Sequence, residues 1–198
     1  MPLTLYTVGH SNRTLETLLA ILRAHSIERV ADVRTVPRSR HNPQFNAEAL
    51  ETSLPEAGLA YDRLPQLGGL RRPRKDSRHL GWRNESFRGY ADHMETPEFE
   101  QGISGLLTLA RAGRTAVMCA EAVYFRCHRS LIADALLCRG VAVVHLLDVR
   151  KTADHRLTPF AKIEDGRPVY PAEQAALPCG EPGPATRRRT GGRSDAEA

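Results

Sequence analysis

The chain has 198 residues, of which 41% are hydrophobic, and a formal net charge of +5, enough length for one domain with a substantial buried core. Its opening, MPLTLYTVGHS, has no basic segment followed by a long apolar one, and no run of about 18 apolar residues occurs anywhere, so neither an export signal nor a membrane span is expected. Four cysteines without a C-x-x-C pair are too sparse for a disulfide scaffold and fit a reducing, cytoplasmic setting.

Residues 3 to 9 (LTLYTVG) are apolar and β-rich, and Leu15, Leu18, Leu19 and Leu22 follow at helical spacing behind a Ser/Asn/Thr cluster able to cap. A second strand is expected at about Arg29 to Val33, where Pro37 bars helical continuation. A short helix from Asn46 to Leu54 leads to an edge-like strand at Tyr61 to Leu64, with Gly68 and Gly69 as punctuation. Next come a helix in ESFRGYADHM and a longer one that Thr96 caps, Pro97 opens and Gly113 ends, its apolar face made of Phe99, Ile103, Leu106, Leu107 and Ala110. TAVMCA and VAVVHLL are uninterrupted apolar runs on either side of the helix SLIADALLCRG, as suits strands buried on both faces of a parallel sheet. The expectation is one α/β domain over 1–174, a mostly parallel sheet in a Rossmann-like three-layer arrangement. From about Ala175 onward the composition turns to Pro, Gly, Ala and Arg, which reads as a disordered tail over 175–198.

In such sheets ligands bind beyond the carboxyl ends of the strands. That rule collects His10 and Ser11 after the first strand, Asp32 and Arg34 after the second, and Cys119, Glu121, Cys127, His128 and Arg129 after TAVMCA, provided these strands are neighbours. Cationic side chains in the first turn of the helix that starts near Cys127 face an unfavourable dipole. A bound anion would compensate, and so would Glu121 or Asp32. Cys127 at that terminus is a candidate nucleophile, because the setting favours the thiolate; the alternative is a buried small hydrophobe. His10 and His128 are candidate acid or base groups, oriented by Glu121 or Asp32. Asp32 and Arg34 could position a substrate or pair with each other.

A strand-end cysteine, a tight anion cradle and an arginine opening the helix form the pattern of rhodaneses and cysteine phosphatases. Here the arginine following Cys119 is Arg126, seven positions on, and only His128 separates Cys127 from Arg129, so a five-residue cradle fits neither cysteine. A metal centre would recruit Cys119, Cys127, His128 and His10 or His145, but the paired ligand spacing of structural zinc is missing, and none is expected. The residues do not identify a cofactor, which stays unknown.

The excess charge lies in one segment. From Arg63 to Arg88, eight basic residues face only Asp76 and Glu85, net +6, while the other residues hold 20 basic and 21 acidic groups. Anionic partners, whether small molecules or nucleic acid, would meet the chain there, with Arg71, Arg72, Arg74 and Lys75 on phosphates and Trp82, Phe87 or Tyr90 stacking on bases.

The ordered series YTVGHSNRTLETLL, DVRTVPRSRHNPQF, LPQLGG, FRGYADHM, VMCAE, CHRSLIADAL and VVHL resembles the domain of unknown function 488 family over about residues 4 to 170. The resemblance implies one α/β domain and makes GHS, DVR, CAE and CHR its signature positions, without a settled reaction. Three functional readings follow: an enzyme acting on a phosphate- or nucleotide-containing substrate through Cys127, a non-catalytic nucleic-acid-binding module using the basic segment, or a small-ligand sensor.

Overall fold

A computed structural model describes residues 3–172; the boundary expected at 174, and the tail expected beyond it, lie outside the described residues. Strands β1 (Thr4–Gly9), β2 (Arg29–Asp32), β3 (Ala60–Arg63), β4 (Thr115–Cys119), β5 (Ala142–Leu146) and β6 (Thr152–Asp154) form one sheet in the order β3-β2-β4-β1-β5-β6. The first five are parallel, and β6 alone runs antiparallel, against β5. Two further strands, β7 (Lys162–Glu164) and β8 (Arg167–Val169), make a separate hairpin.

The apolar strands are sorted by the two-residue period of the pleat. Tyr6, Val8, Val30, Ala116 and Met118 face helices α1 (Leu15–Ala24) and α2 (Ala47–Glu56). Leu5, Ala31, Val117 and Cys119 face the other way, toward α3 (Glu85–His93), α4 (Pro97–Ala112) and α5 (Arg129–Leu137). Two cores on opposite faces of one sheet give the expected three layers. Local chemistry fixes the helix starts: Thr14, Asn84 and Thr96 each accept a backbone N–H from the first turn of α1, α3 and α4.

The sequence reading missed β6, β7 and β8. The hairpin turns on Asp165 and Gly166, both at positive φ (49° and 72°), the Asp-Gly signature of a tight two-residue turn. The basic segment is fastened on several sides. The Arg74 N–H donates to Asp92 at 2.8 Å and the Gly81 N–H to the Tyr170 carbonyl at 2.9 Å, while a side chain at Gly89 would run into the backbone of Arg71 to Pro73.

Candidate functional site

Strands β2, β4 and β1 are consecutive in the sheet, so the three turns at their carboxyl ends meet. Backbone bonds tie them together: the His10 N–H donates to the Cys119 carbonyl (3.0 Å), Ser11 N–H to Ala120 (2.8 Å) and Val33 N–H to Met118 (3.1 Å). Gly9 lets the turns close, since a Cβ there would strike the Glu121 carbonyl oxygen and crowd the Arg129 guanidinium. Gly69 does the same on the other side, where a Cβ would meet the His128 ring.

On the β2 side, Asp32 is saturated. Its carboxylate accepts Arg34 Nε (2.9 Å) and Nη2 (2.6 Å), the Arg34 backbone N–H (3.0 Å) and the Tyr61 hydroxyl (2.7 Å). Burial disfavours the Arg34 charge, but the bonds and charge of Asp32 outweigh it and hold the guanidinium above its ordinary pKa. Arg34 Nη1 lies 3.1 Å from His10 Nε2, and His10 Nδ1 lies 2.8 Å from the Ser11 carbonyl. A neutral imidazole with its proton on Nδ1 satisfies both contacts, Nε2 accepting from arginine. Burial, reinforced by the Arg34 cation, lowers His10 to about 4, and its ring stacks on Phe45 at 4.2 Å. Arg34 and Asp32 therefore pair with each other, and the lone pair of His10 is engaged by arginine.

On the β4 side the chain turns through Ala120 to Arg126 before entering α5. Cys119 Sγ, Cys127 Sγ and His128 Nδ1 all lie within 4.8 Å of one another, His128 Nδ1 being 3.7 Å from Cys127 and 3.9 Å from Cys119. Arg129, only 1% exposed, donates Nε–H to Cys127 Sγ at 3.3 Å and Nη2–H to the carbonyls of Glu121 and Ala122. Among the described residues no carboxylate pairs with it. A buried cation needs an anion, and Cys127 is the ionisable group it touches. The Cys119 thiol donating toward Cys127, together with His128 and Arg129, outweighs burial and holds the Cys127 thiol well below the ordinary range. Cys119 is pushed up by the same contact and by burial. Both shifts favour the proton on Cys119 and the charge on Cys127.

The expectation that Glu121 or Asp32 would neutralise this helix start is not met: Asp32 belongs to Arg34, and Glu121 is exposed, bonded to the Val123 N–H at 3.3 Å. The three grouped donors could share a soft cation, but no fourth His, Cys, Asp or Glu atom joins them among the described residues, and Arg129 already supplies positive charge at Cys127.

A cavity of about 350 Å³ opens over the sulfurs, lined by Cys119, Cys127 and His128 at its base and by Leu70, Phe87 and Arg126 around them. A second hollow of about 400 Å³, holding Arg38, Ser39 and Asn42 beside His10, adjoins it across Arg34, Val36, Ala120 and Glu121, which line both. All nine cleft residues singled out in the sequence thus converge on one sheet edge.

The basic segment does not join them. Arg71 pairs with Glu98 (3.1 Å), Arg74 with Glu95, and Arg78 with Glu95 (2.5 Å) and Glu164 (2.9 Å); Arg72 and Lys75 are exposed and enter no ion pair among the described residues. Of the aromatics offered for base stacking, Tyr90 is fully buried and Trp82, half-buried, lies against Phe87 and Phe160.

A model of the family described as "Domain of unknown function DUF488" matches residues 14–136, more than half of the chain. The chain belongs to the DUF488 family. No curated protein and no solved structure matches it, so the DUF488 assignment brings a family without a reaction. No described helix is long and apolar enough to cross a membrane.

Sequence reading missed three participants. Tyr61 locks Asp32 from the neighbouring strand β3. Phe45 sets the His10 ring. The third is a buried chain in which Asp134 contacts His155 (3.0 Å), His155 contacts His145 (3.0 Å) and His145 contacts Thr7 Oγ1 (2.7 Å). The His155 side chain, 4% exposed, packs against α5 through Asp134. Burial, then the neighbouring His155, lowers His145 to about 3. Nothing local marks these residues, because each partner comes from a distant segment.

Proposed function

We propose that this DUF488 protein is a thiol-dependent enzyme in which Cys127 attacks an electrophilic centre of an anion-bearing substrate, one carrying a phosphate or carboxylate. The observation that carries the reading is Arg129, a buried guanidinium whose ionisable partner is Cys127 Sγ at 3.3 Å. A thiolate is the nucleophilic form, and this one lines a cavity large enough for a small molecule.

The roles divide by position. Cys119 donates to the thiolate and keeps its own proton. His128, beside both sulfurs, is placed to pass a proton to or from the leaving group. Arg126 at the cleft wall is the cation an incoming anion meets first, since Arg34 and Arg129 are spent on Asp32 and Cys127, and Arg38 in the adjoining hollow already pairs with Glu48 at 2.9 Å. His10 and Arg34 act as a rigid wall rather than as proton carriers. The nucleic-acid reading loses support because Arg71, Arg74 and Arg78 are paired within the protein.

The test is alkylation of Cys127 by iodoacetamide across pH, with and without inorganic phosphate. The expected profile is fast and flat from about pH 6 to 8, with protection by phosphate, instead of a rate rising tenfold per unit toward the free thiol value of about 8.5. A profile of the ordinary kind, indifferent to phosphate, overturns the reading.

A further inference from the structure

Cys127 does not stand alone: a second thiol, Cys119, sits beside it. Cys119 Sγ lies within 4.8 Å of Cys127 Sγ, both line the same open cavity, and both are free thiols. They are joined by a loop whose middle is exposed: Glu121, Ala122, Phe125 and Arg126 all face solvent. A disulfide requires about 2.05 Å between sulfurs, so the two are unbonded neighbours that must approach each other to bond. Cys138, at the far end of α5, lines neither cleft hollow.

We propose that Cys127 and Cys119 form a reversible oxidation site, in which a hydroperoxide oxidises Cys127 and Cys119 resolves it to an intramolecular disulfide. The inference rests on the thiolate reading of Cys127 and adds an oxidant class, a resolving residue and a mode of control. In the first step the Cys127 sulfur forms a bond to the distal peroxide oxygen. The O–O bond breaks, and the departing alkoxide takes a proton, leaving an alcohol and a sulfenic acid. In the second step Cys119 attacks the Cys127 sulfur: the S–S bond forms, the S–O bond breaks, and the hydroxide leaves with the Cys119 proton as water. Two electrons pass from the dithiol to the peroxide, which becomes alcohol and water. His128 Nδ1, beside both sulfurs, is placed to move the proton in each step.

The chemistry suits this arrangement better than a lone cysteine. A thiolate at a cavity wall with a second thiol beside it is the arrangement of a sensor that stops at the disulfide instead of proceeding to sulfinic acid. Bond formation would consume the nucleophile and take from Arg129 its anion, switching the cleft off until a dithiol reductant restores it.

The experiment treats the full chain with stoichiometric hydrogen peroxide and follows intact mass and peptide linkage. The expected result is a loss of about 2 Da, a Cys119–Cys127 cross-linked peptide and full reversal by dithiothreitol. Cys119→Ser should instead accumulate a dimedone-trappable sulfenic acid at Cys127, with Cys119→Ala as the substitute if the serine variant fails to fold. A wild-type chain that proceeds to sulfinic acid at Cys127, or links it to Cys138 or Cys179, overturns the inference. Rapid alkylation of Cys127 without a cross-link sinks the switch and spares the thiolate reading; a Cys127 slow toward both reagents sinks both.

Discussion

Two arginines are buried at the same sheet edge, and they are neutralised in different ways. Arg34 meets Asp32 through a two-pronged contact that a tyrosine and a backbone N–H complete. Arg129 meets a sulfur and two carbonyls. The first is a finished structural pair whose carboxylate is fully used. The second balances its charge on an atom that can also react and that opens onto a cavity. The difference separates scaffold from chemistry more sharply than residue type does, since both sides present the arginine and acid that a sequence reading treats alike.

That contrast can be broken first at its structural side. Asp32→Ala leaves Arg34 buried without a counterion and should cost about 3–5 kcal/mol in urea unfolding, whereas a loss under about 1 kcal/mol would mean that Arg34 escapes to solvent. At the reactive side, Arg129→Gln removes the cation from Cys127, and the thiol can respond by taking up a proton. The alkylation midpoint should then move up toward about 8.5 and the rate at neutral pH fall by about tenfold or more, with a stability loss smaller than that of Asp32→Ala. An unchanged profile would show that Cys119 and His128 suffice without Arg129.

Acid provides a third handle. His10 and His145 titrate in the folded chain at about 4 and about 3, below the unfolded value of about 6.5. Between the two values the unfolded chain binds protons that the folded one refuses. Stability is therefore full above about pH 6.5 and falls as pH drops, with a slope approaching about 1.4 kcal/mol per pH unit for each group. Urea midpoints measured from pH 7 to 4.5 check this, and His10→Gln should flatten part of the slope. The smallest effect belongs to Tyr61→Phe, which removes one of several bonds to Asp32 and should cost about 1 kcal/mol while leaving Cys127 alkylation unchanged; a change in that rate would couple the two sides.

The layers, the strand order's main members and the helix starts were legible because their signals are local: apolar runs, Leu spacing, and the Thr96-Pro97 start of α4. The strands β6 to β8 were not, being three residues each and largely polar and exposed, although Asp165-Gly166 held the one usable turn signal. The rule placing ligands at strand ends gathered the cleft residues correctly in space, yet it could not say who pairs with whom. Whether Asp32 serves Arg34 or Arg129 depends on Tyr61 and on the register of β2 with β4. The same blindness made the segment from Arg63 to Arg88 look like a free cationic surface, when Glu95, Glu98 and Glu164 reach it from elsewhere in the chain.

The family match ends at residue 136, but the chain beyond it supplies β5, the last parallel strand, and then covers that strand's outer edge with β6. Asp134, fully buried, anchors this cover through His155, Thr158 and Tyr170. A chain cut before Thr152 would expose the apolar β5 as a row of unpaired N–H and C=O groups, a template for another molecule's strand. The short antiparallel strand thus guards against self-association: its loss should appear as concentration-dependent aggregation before any change at the thiols.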